Sequence, residues 1–254
     1  MNPYLPGLAG ETVIVTGASS GLGRAVSLNA ALYGAKVVLI ARDSERLRLV
    51  REALPGEGHS WFSFDLQHVD AIPVLLSNVV ATAGRPRALV HCAGICIQQP
   101  LRFIDQDSLQ KTMRVNVESA FFLTQAIRHK QIRGERMSIV LVASVAAMLG
   151  SSSLATYCAS KGALVAGMKA MAEELARDKI RINCVAPGCF QSDMLQQLGG
   201  SVGGKHLESL QAKHPLGLGT PDDVSHACLF LISHLSSWIT GSTLVVDGGY
   251  SACK

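Results

Sequence analysis

Tyr157 and Lys161 stand one helical turn apart in Tyr157-Cys158-Ala159-Ser160-Lys161, a spacing that sets a phenol and an ammonium on the same helix face. A free tyrosine titrates near ~10 and is a poor proton donor or acceptor at neutral pH unless a neighbouring cation stabilises its phenolate. Lys161 is placed to be that cation. A Tyr-x-x-x-Lys pair by itself also describes any exposed helix face, so its meaning depends on what else the chain carries.

A second constellation lies near the N-terminus, in Thr16-Gly17-Ala18-Ser19-Ser20-Gly21-Leu22-Gly23. It follows an apolar, strand-like run and precedes a helix expected to begin near Arg24. Glycines in such a turn let the backbone bend sharply and bring amides close to a pyrophosphate at the positive end of the helix. The spacing is Gly-x-x-x-Gly-x-Gly, which differs from the more common Gly-x-Gly-x-x-Gly fingerprint.

The elements that must position these groups are legible in the pattern of apolar runs. Thr12 to Thr16, Lys36 to Ala41, Ser60 to Phe64, Ala88 to His91, Ile139 to Ala143, Ile180 to Ala186 and Thr243 to Val246 read as seven strands separated by amphipathic, helical stretches. That alternation predicts an α/β fold, a doubly wound parallel sheet with helices on both faces. No Pro/Gly/Ser linker, internal repeat or low-complexity tract interrupts it, so residues 1–254 are expected to form a single domain. Gly188 to Thr220, with Gly199, Gly200, Gly203 and Gly204, is long for a connection in a compact domain, and a substrate-binding flap is expected over about 189–219. Thr220-Pro221-Asp222-Asp223 carries the signals that restart a helix.

Composition narrows the function classes. The 254 residues are 48% hydrophobic and 17% charged, with 24 glycines, as expected of strands buried on both faces and many tight turns. The net charge of +4 is spread without a block of like charges, which argues against nucleic acid as a partner. No apolar run approaches the ~18 residues a membrane helix requires, and the first residues lack a signal peptide's pattern, so a cytoplasmic protein is expected. The seven cysteines are an odd number and several sit in strand-like runs, as buried free thiols do. Cys92-x-x-x-Cys96 has no second Cys/His pair at finger-like spacing, and no metal is expected.

Thr-Gly-x-x-x-Gly-x-Gly followed by Tyr-x-x-x-Lys resembles the signature of the short-chain dehydrogenase/reductase family. Further matches fall in order along the chain: Asp65-Leu66, Ala93-Gly94, Asn116, Ser144 and Pro187-Gly188. There are two departures. The family's usual Asn-Asn-Ala-Gly appears as His91-Cys92-Ala93-Gly94, and the threonine after Pro-Gly is replaced by Ser192.

The resemblance implies a Rossmann-type fold and a set of roles. Tyr157 would be the general acid in ketone reduction and the general base in the reverse direction. Lys161 would lower the Tyr157 pKa and hold the nicotinamide ribose, Ser144 would bind the carbonyl oxygen, and Asn116 would anchor a water linking Lys161 to solvent. A nicotinamide cofactor would be held by Gly17, Ser19, Ser20, Gly21, Leu22, Gly23, Arg42, Asp65, Leu66, Ala93, Gly94, Tyr157, Lys161, Pro187, Gly188 and Ser192. Enzymes that select NAD place a carboxylate at the end of the second strand, where this chain has Ala41 followed by Arg42. A guanidinium there clasps a 2′-phosphate, which favours NADP(H), while Asp43 keeps NAD(H) open.

The resemblance extends to oligomeric state and substrate. The family pairs the helix carrying Met113, Val117, Phe121 and Gln125 with the one after Tyr157 across a two-fold axis, and Val245-Val246-Asp247-Gly248-Gly249-Tyr250 resembles a second interface, so a homotetramer is expected. The overall pattern looks like the 3-oxoacyl-carrier-protein reductases. Arg128, Lys130, Arg133 and Arg136 would offer a basic region to an acidic carrier, but Glu135, Glu173 and Glu174 oppose one. A reductase of a free ketone or a small thioester is therefore favoured. A carrier-protein enzyme and a nucleotide-binding regulator without catalysis are the alternatives.

Overall fold

A computed structural model describes residues 7–191 and 211–253. Seven parallel strands form one sheet: β1 (Thr12–Thr16), β2 (Lys36–Ala41), β3 (Ser60–Ser63), β4 (Ala88–His91), β5 (Met137–Val142), β6 (Ile180–Pro187) and β7 (Thr243–Val246), in the order β3-β2-β1-β4-β5-β6-β7. Helices α1 (Gly21–Leu32), α2 (Ser44–Ala53), α3 (Ile72–Ala83), α4 (Gln106–Met113), α5 (Ser119–Ile127), α6 (Ala155–Ala176) and α7 (Pro221–Ile232) cover its faces. This is the doubly wound α/β arrangement expected from the alternation of elements. The strand bounds differ from expectation at β3, β5 and β6. The largest shift is at β5, which begins at Met137 because Ser138 is buried in register with Ala88 and Arg181. A polar residue inside a strand hides the strand's start from an apolar-run reading.

Strand alternation divides the core cleanly. Ile14, Val38, Ile40, Leu89, Ile139 and Ile182 point to one face, where Leu76, Leu123, Leu164 and Met168 cover them. Val13, Val15, Leu39, Val90, Val140 and Val185 point to the other, against Val26, Ala30, Leu229 and Ile232. Both faces are apolar, so the central strands read as continuous apolar runs. Each fully buried aliphatic side chain contributes ~1.5–3 kcal/mol relative to leaving it in water.

The sheet order places a crevice at one edge of β1. After β1 the chain winds outward to β2 and β3, then crosses back to β4 on the other side, so the connections leaving β1 and β4 diverge at their carboxyl ends. Ligands of open α/β sheets bind at such a switch point. Thr16 and His91 are aligned in register there.

Two local features matter for the site. Between α4 and α5, Arg114–Glu118 form a π-helical turn, which carries Asn116. One extra residue in the turn re-aims side chains that an α-helix would place elsewhere. At the far end, Thr220 and Asp223 form a reciprocal capping box at the start of α7, with Pro221 in the first turn, as the sequence signals predict. The glycines at 199, 200, 203 and 204 lie outside the described residues.

Candidate active site

The carboxyl ends of β1, β2, β4, β5 and β6 surround a cleft of about 1300 Å³. At its floor is the turn between β1 and α1. Gly17 has φ +65°, and a Cβ there would lie 2.9 Å from the Ala93 amide nitrogen; a Cβ on Gly23 would lie 2.2 Å from the Gly17 carbonyl oxygen. Only glycine permits these approaches. Gly21, by contrast, has φ +48° and nothing within 4 Å of its would-be Cβ, so the turn is open on its cleft side. Helix α1 begins at Gly21, three residues before the expected start. Its N-cap, Ser20, makes no side-chain capping bond, and no acidic residue stands in its first turn. Open amides at a positive helix end, with no carboxylate in the helix's own first turn, fit a dinucleotide pyrophosphate. Ser19, Ser20, Leu22, Asp65, Leu66, Ala93, Gly94, Pro187 and Gly188 also line the cleft. Ser192 lies outside the described residues.

At the end of β2 the two candidate groups separate by role. Asp43 caps α2, accepting a hydrogen bond from the Arg46 amide at 3.0 Å and pairing with its guanidinium at 3.6 Å. Arg42, Asp43 and Arg46 all line the cleft. Asp65 accepts from the Gln67 amide at 2.9 Å and its side-chain nitrogen at 3.1 Å, which fixes the turn after β3.

The catalytic candidates converge from four elements. Tyr157 and Lys161 share a face of α6 as the spacing requires, with Nζ 5.7 Å from the centre of the Tyr157 ring. Ser144, leaving β5, accepts from the Ala146 amide at 3.1 Å and hydrogen-bonds the Tyr157 phenol. Lys161 is buried and donates to the Val142 carbonyl at 2.7 Å. Gly94 closes on this group: a Cβ there would lie 3.3 Å from both Lys161 Nζ and Asn116 Oδ1. Asn116 clasps the backbone of Ile95, accepting from its amide at 2.8 Å and donating to its carbonyl at 2.9 Å, and also donates to Ser160 Oγ. Ser160 in turn donates to the Tyr157 carbonyl at 2.7 Å. The π-helical turn thus ties the loop after β4 to α6.

Burial sets the electrostatics. It pushes Lys161 down to about 8 and the Tyr157 phenol well above its ordinary range, the Ser144 hydrogen bond pulling the phenol back. The Lys161 ammonium gives its hydrogen bond to the Val142 carbonyl and stands 5.7 Å from the centre of the Tyr157 ring. Burial also raises Cys96 to about 11.

His91, the departure from the family's asparagine, has a defined place. Thr16 Oγ1 accepts from the Ala93 amide at 3.2 Å and lies 2.8 Å from His91 Nδ1, to which its hydroxyl donates when the ring proton is on Nε2. His91 Nε2–H then donates to Ser119 Oγ at 3.2 Å, and Ser119 donates to the Val115 carbonyl at 2.6 Å. Every proton in this chain has one consistent direction if the imidazole is neutral. Burial, with Lys161 nearby, pushes His91 down to about 3 and holds it so.

Cys189, Phe190 and Lys213 line the cleft within the span expected as a substrate-binding flap, while Cys96 and Tyr250, read in the sequence as a thiol without a metal and as part of an interface, line it as well. Tyr250 belongs to the C-terminal segment, and its place on the cleft wall depends on β7 adding to the sheet beside β6. Cys189 and Phe190 directly follow Pro187-Gly188. Among the described residues no helix is long and apolar enough to cross a membrane, and no group of three or more His, Cys, Asp or Glu is placed to hold a metal ion.

Comparison with known proteins agrees with this geometry. A family model described as enoyl-(acyl carrier protein) reductase matches residues 17–251. A 3-oxoacyl-(acyl-carrier-protein) reductase of Chlamydia pneumoniae is 35% identical over 245 residues, covering 95% of this chain and 97% of its own. Human (3R)-3-hydroxyacyl-CoA dehydrogenase is 34% identical over 253 residues, covering 95% and 96%. Gluconate 5-dehydrogenase of Gluconobacter oxydans is 33% identical over 251 residues, covering 98% and 97%. With the family model spanning nearly the whole chain and these relatives matching end to end, the chain belongs to the short-chain dehydrogenase/reductase family of oxidoreductases.

Proposed function

We propose that the protein interconverts a ketone and a secondary alcohol with NADP(H), Tyr157 serving as the general acid and base. The observation that carries this reading is the convergence of the Ser144 hydroxyl and the Tyr157 phenol on one side of the cleft, with the Lys161 ammonium behind them. When bound, the nicotinamide supplies or accepts the hydride. The chain's own residues handle the oxygen and the proton. Ser144 and Tyr157 hydrogen-bond the carbonyl oxygen and fix its orientation, and the phenol passes its proton to that oxygen as negative charge develops there. Lys161, held by Val142, stabilises the phenolate left behind. Asn116 keeps the π-helical turn, Ile95 and Ser160 in register, which holds Tyr157 and Lys161 at their mutual spacing and supports a water between Lys161 and solvent.

Cofactor preference rests on Asp43. Its carboxylate is engaged in capping α2, and Arg42 and Arg46 flank it. A guanidinium after β2 and another in the first turn of α2 suit a 2′-phosphate better than a ribose hydroxyl.

The substrate is a free ketone or a small thioester. Two of the four basic residues that would receive an acidic carrier are engaged by acids: Arg128 pairs with Asp178 at 2.7 Å and with Glu174 at 3.9 Å, and the buried Arg133 pairs with Asp178 at 3.8 Å. The protein acts as a homotetramer in the cytoplasm. Phe121 and Phe122 are exposed on α5, and Trp238, Leu244 and Val245 at the β7 edge, as two apolar faces awaiting copies of the chain. Free thiols at Cys92, Cys96, Cys158, Cys184, Cys228 and Cys253 suit a reducing compartment.

The deciding experiment follows NADPH oxidation with a panel of ketones, with acetoacetyl groups on a small thiol and with the same groups on carrier protein. Turnover of free ketones or the small thioester is expected. A tenfold preference for the carrier-borne substrate, lost at high salt, would restore the fatty-acid reductase reading. Tight cofactor binding with silence across the panel would make the protein a nucleotide-binding regulator.

A further inference from the structure

The chain leaves β6 through Pro187 and Gly188, and the segments on either side of residues 192–210 meet at one side chain. His214 is 3% exposed, and its Nε2 accepts a hydrogen bond from the Cys189 amide at 3.2 Å. Just beyond, Phe190 bridges to Gly219, and the Gln191 amide donates to the Gly219 carbonyl at 3.0 Å. Across one face of the imidazole lies the Tyr250 ring, with centroids 4.6 Å apart and planes 17° from parallel. Tyr250 is set by a turn closed on Asp247, whose carboxylate accepts from the Gly249 amide at 3.0 Å and the Ser251 amide at 2.7 Å. Gly188 completes the packing: a Cβ there would lie 2.8 Å from Asp247 Cα and 3.1 Å from His214 Nε2. Three segments distant in sequence therefore converge on a buried imidazole, at the wall of the cleft where Cys189, Phe190, Lys213 and Tyr250 stand. Cys189 is close enough to the Tyr157 phenol to act on it electrostatically, so this wall belongs to the reacting end.

We propose that His214 is a positioning residue and Tyr250 a specificity-determining one for the carbonyl substrate. By accepting from Cys189 and stacking on Tyr250, His214 fixes the separation of two walls of the cleft, and the Tyr250 ring limits the bulk carried beside the reacting carbonyl. The inference rests on reading the cleft as a ketone and alcohol site. Two properties of the imidazole carry the role, and they are separable: the lone pair on Nε2 and the flat ring face.

His214→Gln keeps an acceptor without the ring, His214→Phe keeps the ring without the acceptor, and Tyr250→Ala opens the wall. Two readouts apply: hydrogen exchange at the amides of residues 189–191, which requires no turnover, and kinetics with compact and bulky ketones. His214→Phe is expected to speed exchange at the Cys189 amide at least tenfold and raise KM for the ketone at least fivefold, with kcat within threefold and NADPH affinity unchanged. His214→Gln is expected to recover most of the lost protection. Tyr250→Ala is expected to shift the kcat/KM ratio of bulky to compact ketone upward at least fivefold. The proposal is overturned if His214→Phe leaves ketone KM within twofold, if it weakens NADPH binding and kcat together, or if Tyr250→Ala leaves the ketone ratio unchanged. Absence of turnover in the unaltered protein would instead remove the ketone reading and the specificity role with it, while the exchange result would still decide whether His214 joins the walls.

Discussion

Lys161 and Tyr157 share one face of α6, yet the lysine's hydrogen bond goes to the Val142 carbonyl at 2.7 Å, leaving Nζ 5.7 Å from the centre of the tyrosine ring. The ammonium is thus anchored to β5 and not to its helix neighbour. Burial, with no carboxylate partner among the described residues, holds Lys161 near 8, below its ordinary 10.5. A depressed lysine makes the native state carry a charge at a cost below the folded pKa. That cost is relieved as pH rises from about 8 to 10.5, where the unfolded chain still binds the proton. The stability of the wild type relative to Lys161→Met should therefore climb across this window, by at most ~1.4 kcal/mol per pH unit. Urea denaturation of both proteins at several pH values measures it, and a flat difference would contradict the burial account.

Tyr157→Phe should lower kcat by at least ~10²-fold, the lower end of what a positioned general acid supplies, while leaving NADPH affinity nearly intact. The change removes the phenol's proton and little of the packing. Retention of more than about a tenth of wild-type kcat would dismiss Tyr157 as the acid.

Arg42→Ala should raise KM for NADPH far more than for NADH, since only NADPH carries the 2′-phosphate. Asp43→Ala should mainly cost helix stability, ~1 kcal/mol for a lost cap, with cofactor preference little changed. If Arg42→Ala affects both cofactors equally and Asp43→Ala abolishes use of NADH, the assignment reverses to NAD.

His91→Asn, the residue usual in the family, should be tolerated better than His91→Leu, which removes the link between Thr16 and Ser119 and is expected to cost ~1–3 kcal/mol. Nitrogen NMR should show a neutral ring protonated at Nε2 across pH 5–9. A ring that titrates in this range would refute the proton directions deduced for the chain from Thr16 to Val115.

Light scattering at micromolar protein should return four chain masses. Replacing Phe122 and Val245 by charged residues is expected to reduce that mass stepwise, since each lies on a different exposed apolar face. A single chain mass for the unaltered protein would end the tetramer proposal.

Much of this architecture was legible in the sequence because it depends on local rules. Alternating burial on two apolar sheet faces writes each central strand as an apolar run, and the start of α7 is spelled out by Thr220, Pro221 and Asp223. The glycine turn and the Tyr157–Lys161 pair carry their spacing in plain view. What stayed hidden depends on distant partners. Nothing near Asn116 announces a π-helical turn, because the turn is held by Ile95 and Ser160. His91 looked like an isolated departure until Thr16 and Ser119 were beside it. His214 and Tyr250 meet only after β7 has joined β6.

The strand order has a consequence for how the chain is made. β1 sits in the middle of the sheet, between β2 and β4, and its register with β4 joins residues about 75 apart, such as Thr16 and His91. A nascent chain can pair β1 with β2 and β2 with β3 early, but one edge of the fully buried β1 stays open until residue 91 has emerged from the ribosome. At ~5–20 residues per second that interval lasts several seconds. The sticky edge is thus a demand on the cell's chaperones during synthesis, and a slow codon between residues 41 and 88 would lengthen the exposure.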